Sequence, residues 1–452
     1  MPLIRNNPVA YLLSRTWKFS EGNRFQLSFA YASFIIANVV GLLQPLLIAH
    51  IMNLVQVDGV TKSNISWLLI LTSGILVINT IFWLFHGPAR VMELRNSYLI
   101  RVNYRRYLVE GVMGLPLQWH SQHHSGATID RIEKGSSKLS DFASDGFELF
   151  ESVVRLVGSY IILLWFHVHS GYIVLVVSLA SFMVVIKIDK FLKKKHREVY
   201  DAENAASAKV FDALSNITTV VILRIENLLS KEIVKTLLKP LKTYVLKTKV
   251  SETKWFIVST LANLTTVLVI GSYLYTTYRS GAVILVGSVY LLYGYVDNIT
   301  NIYYRFAYKY SEFIRQKAAI ESAEEIASLF SKKQRLKDSS LGSWNVIDVK
   351  NLNFSYEGKR HEHRHLQDVS LSLHRRERVA FVGESGSGKT TTLKLLRALY
   401  DPDGGSVFLD GKTTSFKFLS EHITLIPQEA EIFNTTIGKN ITMGVSHSEE
   451  VI

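Results

Sequence analysis

Val379-Ala380-Phe381-Val382-Gly383-Glu384-Ser385-Gly386-Ser387-Gly388-Lys389-Thr390-Thr391 is the stretch from which the rest of the chain is best read. It fits the phosphate-loop pattern G-x-x-x-x-G-K-[ST] in full, with an apolar strand-like run before it and a helical run, Thr392–Leu399, after it. Glycines at 383, 386 and 388 let the backbone turn tightly and approach an anion. The N–H groups of Glu384, Ser385, Ser387 and their neighbours, with the helix N-terminus, would then face phosphate oxygens. Lys389 can reach terminal phosphates as a point charge, and the Thr390 hydroxyl, followed by Thr391, suits Mg²⁺, a hard ion that takes oxygen ligands. A Gly/Ser turn ahead of an ordinary helix has no comparable need for Lys-Thr at this spacing.

The flanks read as an α/β domain over 346–452, joined to the rest by a polar linker at 331–345. Strands are expected at Val346–Val349, Val369–Leu373, Arg378–Phe381 and Ile423–Ile426. Tyr356 could stack on a base, although a tyrosine also fits any strand edge. Gln428, after Pro427, could reach a metal ion and an attacking water. His361-Glu-His363-Arg-His365 places alternate imidazoles on one side of an extended segment, but without a fourth ligand it reads as a solvated loop.

Upstream the pattern changes. No Lys, Arg, Asp or Glu occurs between Arg24 and Asp58, Lys62 and Arg90, Arg155 and Lys187, Lys254 and Arg279, or Arg279 and Asp297. A spanning helix needs about 20 mostly apolar residues. Six spans are therefore expected, at about 27–50, 66–88, 147–167, 170–188, 256–277 and 281–300. The 452 residues are 48% apolar and only 20% charged, which excludes a disordered chain. The absence of cysteine excludes disulfides, thiolate metal sites and a cysteine nucleophile.

The net charge of +13, from 51 basic and 38 acidic residues, is concentrated at the N-terminus and in the long segments 90–146 and 189–254. The short loops between the other spans are nearly free of Lys and Arg. The positive-inside bias thus puts the N-terminus, both long loops and the C-terminal domain in the cytoplasm, and nucleic-acid binding ranks far below this explanation. Met1–Ser20 lacks the compact apolar core of a cleavable signal. The long loops are amphipathic, with Val199, Ala202, Ala206, Val210 and Ala213 at helical spacing. Helices should extend beyond the membrane, turn and return, with breaks near Leu115-Pro116 and Lys239-Pro240. On the last span, Tyr290, Tyr293, Asp297, Asn301, Tyr304 and Tyr308 share one helical face. That face suits either a polar cavity or a helix–helix interface. Glu151 and Arg155 are spaced to form an ion pair.

Six spans with two long cytoplasmic loops, then a domain with this phosphate loop, resemble the ATP-binding-cassette (ABC) exporters over almost the whole chain. Gly114-Leu-Pro116 through Gly126–Arg131 is similar to their first intracellular loop, and Asn353-Phe354-Ser355-Tyr356 to their adenine-stacking loop. Ile426-Pro427-Gln428-Glu429 with Phe433–Ile437 and Asn440-Ile441 is similar to their Gln loop. The resemblance implies ATP and Mg²⁺ as cofactors, with Gly383–Thr391 as the phosphate loop, Tyr356 as the adenine platform and Gln428 as a metal- and water-sensing residue. It implies a second half-transporter as partner, homodimeric or heterodimeric, two ATP molecules held between the nucleotide domains, and coupling helices near His120–Gly126 and Ala206–Leu214. A docking surface would lie beside the Gln loop at Glu429–Phe433. Membrane lipid and an exported substrate are further partners, and a bacterial inner membrane is the expected location. The signature motif, the catalytic Glu after an acidic strand and the switch His of the family do not occur before Ile452, and Glu449-Glu450 has no strand ahead of it. The 452 residues alone are thus expected to be hydrolysis-incompetent, with ATP-driven export or lipid flipping belonging to a full-length parent. The alternative is a nucleotide-gated channel or a non-hydrolysing regulatory half-subunit.

Overall fold

The computed structural model describes residues 7–123, 125–330, 344–356, 365–420, 422–426, 428 and 432–443. The expected linker falls almost wholly outside these residues, as do His361, His363, Pro427 and Glu429. The chain divides into two compact units, Met1–Tyr107 with Glu133–Ala323, and Leu108–Ile132 with Glu324–Ile452.

The first unit is helical. In chain order it contains α1 (Pro8–Phe19), α2 (Arg24–Gly41), α3 (Leu43–Asp58) and most of α4 (Ile65–Met113). After the tip of the first long loop, with α5 (Leu117–Gln122), come α6 (Ser125–Ser144), α7 (Gly146–Phe166) and α8 (Val168–Ser215). Then follow α9 (Ile217–Ile222), α10 (Glu226–Leu238), α11 (Leu241–Ser280) and α12 (Val286–Ala327). Among the described residues five helical segments are long and apolar enough to cross a membrane: Arg24–Asp58, Ile65–Met113, Ser125–Phe166, Val168–Leu192 and Glu226–Arg279. Four of them contain an expected span, and Ser125–Phe166 covers all of 147–167 but His167, which lies between α7 and α8.

The sixth expected span, 281–300, differs. Gly281 is left-handed (φ 70°) and caps α11, and helix resumes only at Val286. Tyrosine, Asn301 and Asp297 lower the hydropathy of α12, so it falls below the other five. It is nonetheless deeply packed on one side: Leu291, Leu292, Tyr295, Val296 and Ile299 join Leu42, Ala49, Leu163, Val174 and Val269 in the main core. The Tyr295 hydroxyl donates to the Leu42 carbonyl (2.6 Å), and Gln56 accepts from the Val286 N–H (2.7 Å) at the start of α12. A Cβ on Gly287 would strike the Ala49 carbonyl, so only glycine allows this close approach of α12 to α3.

The second long loop is an antiparallel helical pair. Asp189 meets Lys254 (3.0 Å), Glu198 meets Thr243 (3.5 Å) and Lys209 meets Glu232 (3.7 Å), so α8 descends as α10 and α11 climb. The stretch 206–214, where the resemblance implies a coupling helix, is the last part of α8. The chain reverses after Ser215, through the short α9. Pro240 separates α10 from α11, where its missing N–H would otherwise break a continuous helix.

Buried charge fixes the join between α6 and α7. Glu93, fully buried, accepts from the Phe147 N–H (2.7 Å) at the first turn of α7 and pairs with Arg90. Lys309 of α12 meets Asp145 (2.7 Å) and Glu148 (3.3 Å), and Glu151 takes both Arg155 (3.3 Å) and Arg305 (3.2 Å).

The second unit contains a four-stranded antiparallel sheet of order β2-β1-β3-β4. Its strands are β1 (Val346–Phe354), β2 (Leu366–His374), β3 (Gly404–Leu409) and β4 (Lys412–Thr414), with helices α13 (Lys389–Leu396), α14 (Phe416–Ser420) and α15 (Ile437–Thr442). Ile347 pairs with Leu373 and Leu409, and Val349 with Leu371 and Val407. The register shifts between Val349 and Leu352, beside left-handed Asn351 (φ 55°). That one-residue slip returns Leu352 and Phe354 to the buried face with Ile347 and Val349. Two expected strands are not formed. Residues 378–381 and 423–426 are in no strand, and Val379, Phe381 and Val382 remain 49%, 38% and 93% exposed. A strand needs a neighbouring edge to take its backbone hydrogen bonds, and no described strand pairs with either segment.

Candidate nucleotide site

The phosphate loop is built by local backbone chemistry. Gly386 (φ 89°) and Gly388 (φ 90°) are left-handed, which lets the chain double back and enter α13 directly at Lys389. A Cβ on Gly388 would lie 2.5 Å from Leu366 Cδ2, because the loop rests on the first residue of β2. Leu366 is itself buried with Leu395 and Leu396 of α13, so sheet, loop and helix are packed as one piece. The helix ends early, at Leu396 and not at Leu399, where Ala398 turns left-handed (φ 49°).

The Lys389 ammonium donates to the carbonyls of Gly383 (2.8 Å) and Glu384 (2.7 Å) and lies 3.2 Å from the Ser387 hydroxyl. The loop therefore curls around its own cation. The N–H groups in the first turn of α13 have no intrahelical acceptor, and the helix dipole places partial positive charge there. A glycine-lined cradle with a resident ammonium and free N–H groups fits the phosphates of ATP. Ser385 and the Thr390 hydroxyl are exposed at its rim, where Thr390 could take an oxygen-ligated Mg²⁺.

Tyr356 is brought to this loop. Its hydroxyl is 3.4 Å from the Thr391 Oγ1, across 35 residues of sequence. Its ring packs edge-on against Phe354 (4.8 Å between centroids), His365 (5.0 Å) and Tyr400 (5.2 Å). His365 and Tyr400 were not legible as site neighbours; no spacing pattern links them to Tyr356. Asp403 was missed for the same reason: its carboxylate accepts from the Ser355 N–H (2.7 Å) and fixes the end of β1. Gln428 is exposed and makes no hydrogen bond to another described residue, so it is not gathered to the loop.

Family comparison resolves the architecture. Residues 27–294 match the family described as ABC transporter transmembrane region, and residues 366–451 match the family described as ABC transporter. The chain belongs to the ABC transporters. It is thus an integral, multi-pass membrane protein with a nucleotide-binding segment C-terminal to its spans. It is 28% identical over 356 residues to ATP-binding cassette sub-family B member 6 of Xenopus tropicalis, covering 73% of this chain and 39% of that protein. It is 22% identical over 457 residues to Beta-(1-->2)glucan export ATP-binding/permease protein NdvA of Agrobacterium fabrum, covering 95% of this chain and 72% of that protein. A Probable ABC transporter ATP-binding/permease protein of Haemophilus influenzae is 39% identical over 131 residues, covering 27% of this chain and 23% of that protein. The chain spans about two-fifths of the length of the sub-family B relatives it matches.

In the membrane unit of this ABC transporter, Tyr293, Asp297 and Asn301 are exposed on one face of α12, opposite its core-facing stripe. The Asn301 amide donates to the Asp297 carboxylate (2.9 Å). Tyr304 leaves this set: it stacks on Trp255 (5.7 Å) and lines a narrow cavity with Ser178, Ser181, Thr265 and Thr300.

Proposed function

We propose that this chain is the membrane and nucleotide-binding part of an ATP-driven exporter or lipid flippase working as a dimer. The phosphate loop carries the reading. Its glycine conformations and the position of Lys389 supply an anion cradle at the start of α13. With ATP bound, Lys389 would exchange its loop carbonyls for terminal phosphate oxygens. Thr390, with Gln428 once drawn in, would offer oxygens to Mg²⁺, and Tyr356 would flank the base. A second half-transporter would close over the phosphates, and helices beyond the membrane would pass that closure to the spans. Tyr293, Asp297 and Asn301, the polar face of α12, are the cargo-facing residues in this reading. The family's coupling of export to ATP and the fusion of spans to the nucleotide-binding segment in one chain support it. The basic long loops favour a cytoplasmic nucleotide domain, in a bacterial inner membrane.

The test is nucleotide binding by the purified, detergent-solubilised protein, read with a fluorescent ATP analogue. Lys389→Ala should weaken binding by at least tenfold, since a charge-assisted contact contributes about 1.5–3 kcal/mol. Unchanged binding in that variant would overturn the phosphate-loop assignment. ATPase activity and flux against a gradient, measured on the protein with any continuation past Ile452, separate pumping from a channel-like role.

A further inference from the structure

Among the described side chains of α8, the lysines near its membrane end fall into two classes. Lys195 meets Glu198 (2.9 Å), and Asp189 is occupied by Lys254 of α11 (3.0 Å). Lys187, Lys190 and Lys194 are exposed and form no ion pair with a described residue. At 100° per residue these three fall within one narrow stripe of the helix. The stripe lies opposite Leu192 and Val199, whose buried side chains face the other way. Toward the membrane the same stripe continues as Met183 (65% exposed) and Ile186 (40%), with Phe191 (46%) beside the lysines. The apolar span Val168–Leu192 ends within this cluster.

An apolar track that runs into unpaired ammonium groups at the end of a membrane span has the chemistry of a lipid with an anionic headgroup. Acyl chains would lie along Met183 and Ile186, and a phosphate would meet Lys187, Lys190 and Lys194. Nearby carboxylates do not compete: Asp189 and Glu198 already have partners, Asp201 and Glu203 lie further along α8, and Glu252 on α11 makes no ion pair with these lysines. We propose that this stripe of α8 is a binding site for an anionic phospholipid of the leaflet on the long-loop side. Occupancy would fix the depth at which α8 leaves the membrane. Through the Asp189–Lys254 contact it would also steady the α8–α11 pair that forms the second long loop.

The experiment compares the detergent-solubilised protein with its Lys187→Gln/Lys190→Gln/Lys194→Gln variant. Phosphatidylglycerol and phosphatidylcholine are added separately, with retained lipid read by native mass spectrometry and the midpoint of thermal unfolding read in parallel. A basic side chain near an anionic membrane surface contributes about fivefold in binding. The triple variant should therefore retain phosphatidylglycerol at least about tenfold less, and lose the rise in midpoint that this lipid gives the unmodified protein. A control variant, Lys231→Gln/Lys235→Gln/Lys239→Gln, on α10 and its C-cap, removes the same charge away from the apolar run 256–277 and should behave like the unmodified protein. Equal retention by both triple variants would overturn the proposal, as would equal stabilisation by phosphatidylcholine. If inorganic phosphate at millimolar concentration displaces the lipid and stabilises equally, the stripe is an ion site and the lipid assignment falls.

Discussion

Replacing Gly388 by alanine tests the phosphate loop at its tightest point. The residue has φ 90°, a left-handed conformation that costs an L side chain about 1–2 kcal/mol. The added Cβ would also sit 2.5 Å from Leu366 Cδ2 and 3.5 Å from the His365 carbonyl. Leu366 is buried, so relief means repacking, at about 1–3 kcal/mol. The two terms sum to about 2–5 kcal/mol. They act at the residue that sets the first N–H groups of α13. The strain exists in the loop before any ligand arrives, so the loop will relax by rotating away, and the N–H array will no longer converge. Nucleotide affinity should fall by roughly 30-fold or more, 2 kcal/mol being the lower bound. Fluorescent ATP-analogue titration measures this directly, with circular dichroism confirming that helices α1–α12 are retained. A double variant, Gly388→Ala with Leu366→Ala, removes the clash but keeps the φ penalty. It should bind nucleotide better than Gly388→Ala alone and worse than the unmodified chain. Equal affinity of Gly388→Ala and the unmodified protein would refute the argument that this glycine is required by both conformation and contact.

Two further outcomes follow from the membrane unit. Asp189→Ala leaves the Lys254 ammonium, 8% exposed, without its carboxylate; breaking a buried pair costs about 3–5 kcal/mol, reduced here to about 1–3 because Asp189 is one-third exposed. Lys254→Met removes the charge with the packing kept and should cost less, so equal losses in thermal unfolding midpoint would contradict the desolvation argument. His167 caps α8: its Nδ1 faces the Ser170 N–H (3.3 Å), while its Nε2 lies 3.1 Å from Thr276 Oγ1, whose own proton goes to the Ser272 carbonyl. Burial first, then the neighbouring His169, holds its pKa below the ordinary imidazole value. The unfolded chain therefore takes up the proton first as pH falls, and the cap's contribution is complete above about pH 6.5 and declines below it. His167→Asn keeps a capping acceptor and should flatten the fall in stability between about pH 7 and 5; an identical slope in both proteins would show that the cap does not titrate.

How much was legible depends on the range of the interaction. The first five spans follow from windows free of Lys, Arg, Asp and Glu, such as 25–57 and 63–89, because the cost of charge in hydrocarbon is paid residue by residue. The sixth expected span, on α12, is not among the five apolar segments: its Tyr, Asn301 and Asp297 lower its hydropathy, while Leu291, Leu292 and Val296 are buried in the core. The reversal of the second long loop after Ser215 was not legible, because the amphipathic period of α8 runs to its end without a Gly or Pro to mark the turn. Strands at 378–381 and 423–426 were expected from β-branched and apolar content, but a strand forms only where another edge is present to pair with it.

By itself the sequence determined the membrane-spanning character, the positive long loops and the phosphate loop with its Gly388-Lys389-Thr390 core. Each is a local property: a run of residues either can or cannot be desolvated, and three glycines either do or do not permit the turn. Only the tertiary structure decided that Gly388 rests on Leu366, that Tyr356 meets Thr391 and Tyr400, that Asp189 answers Lys254, and that no described carboxylate answers Lys187, Lys190 or Lys194. Those pairings depend on strand register and on the angular phase of one helix against another. A change of one residue in either would exchange partners without altering a single local pattern.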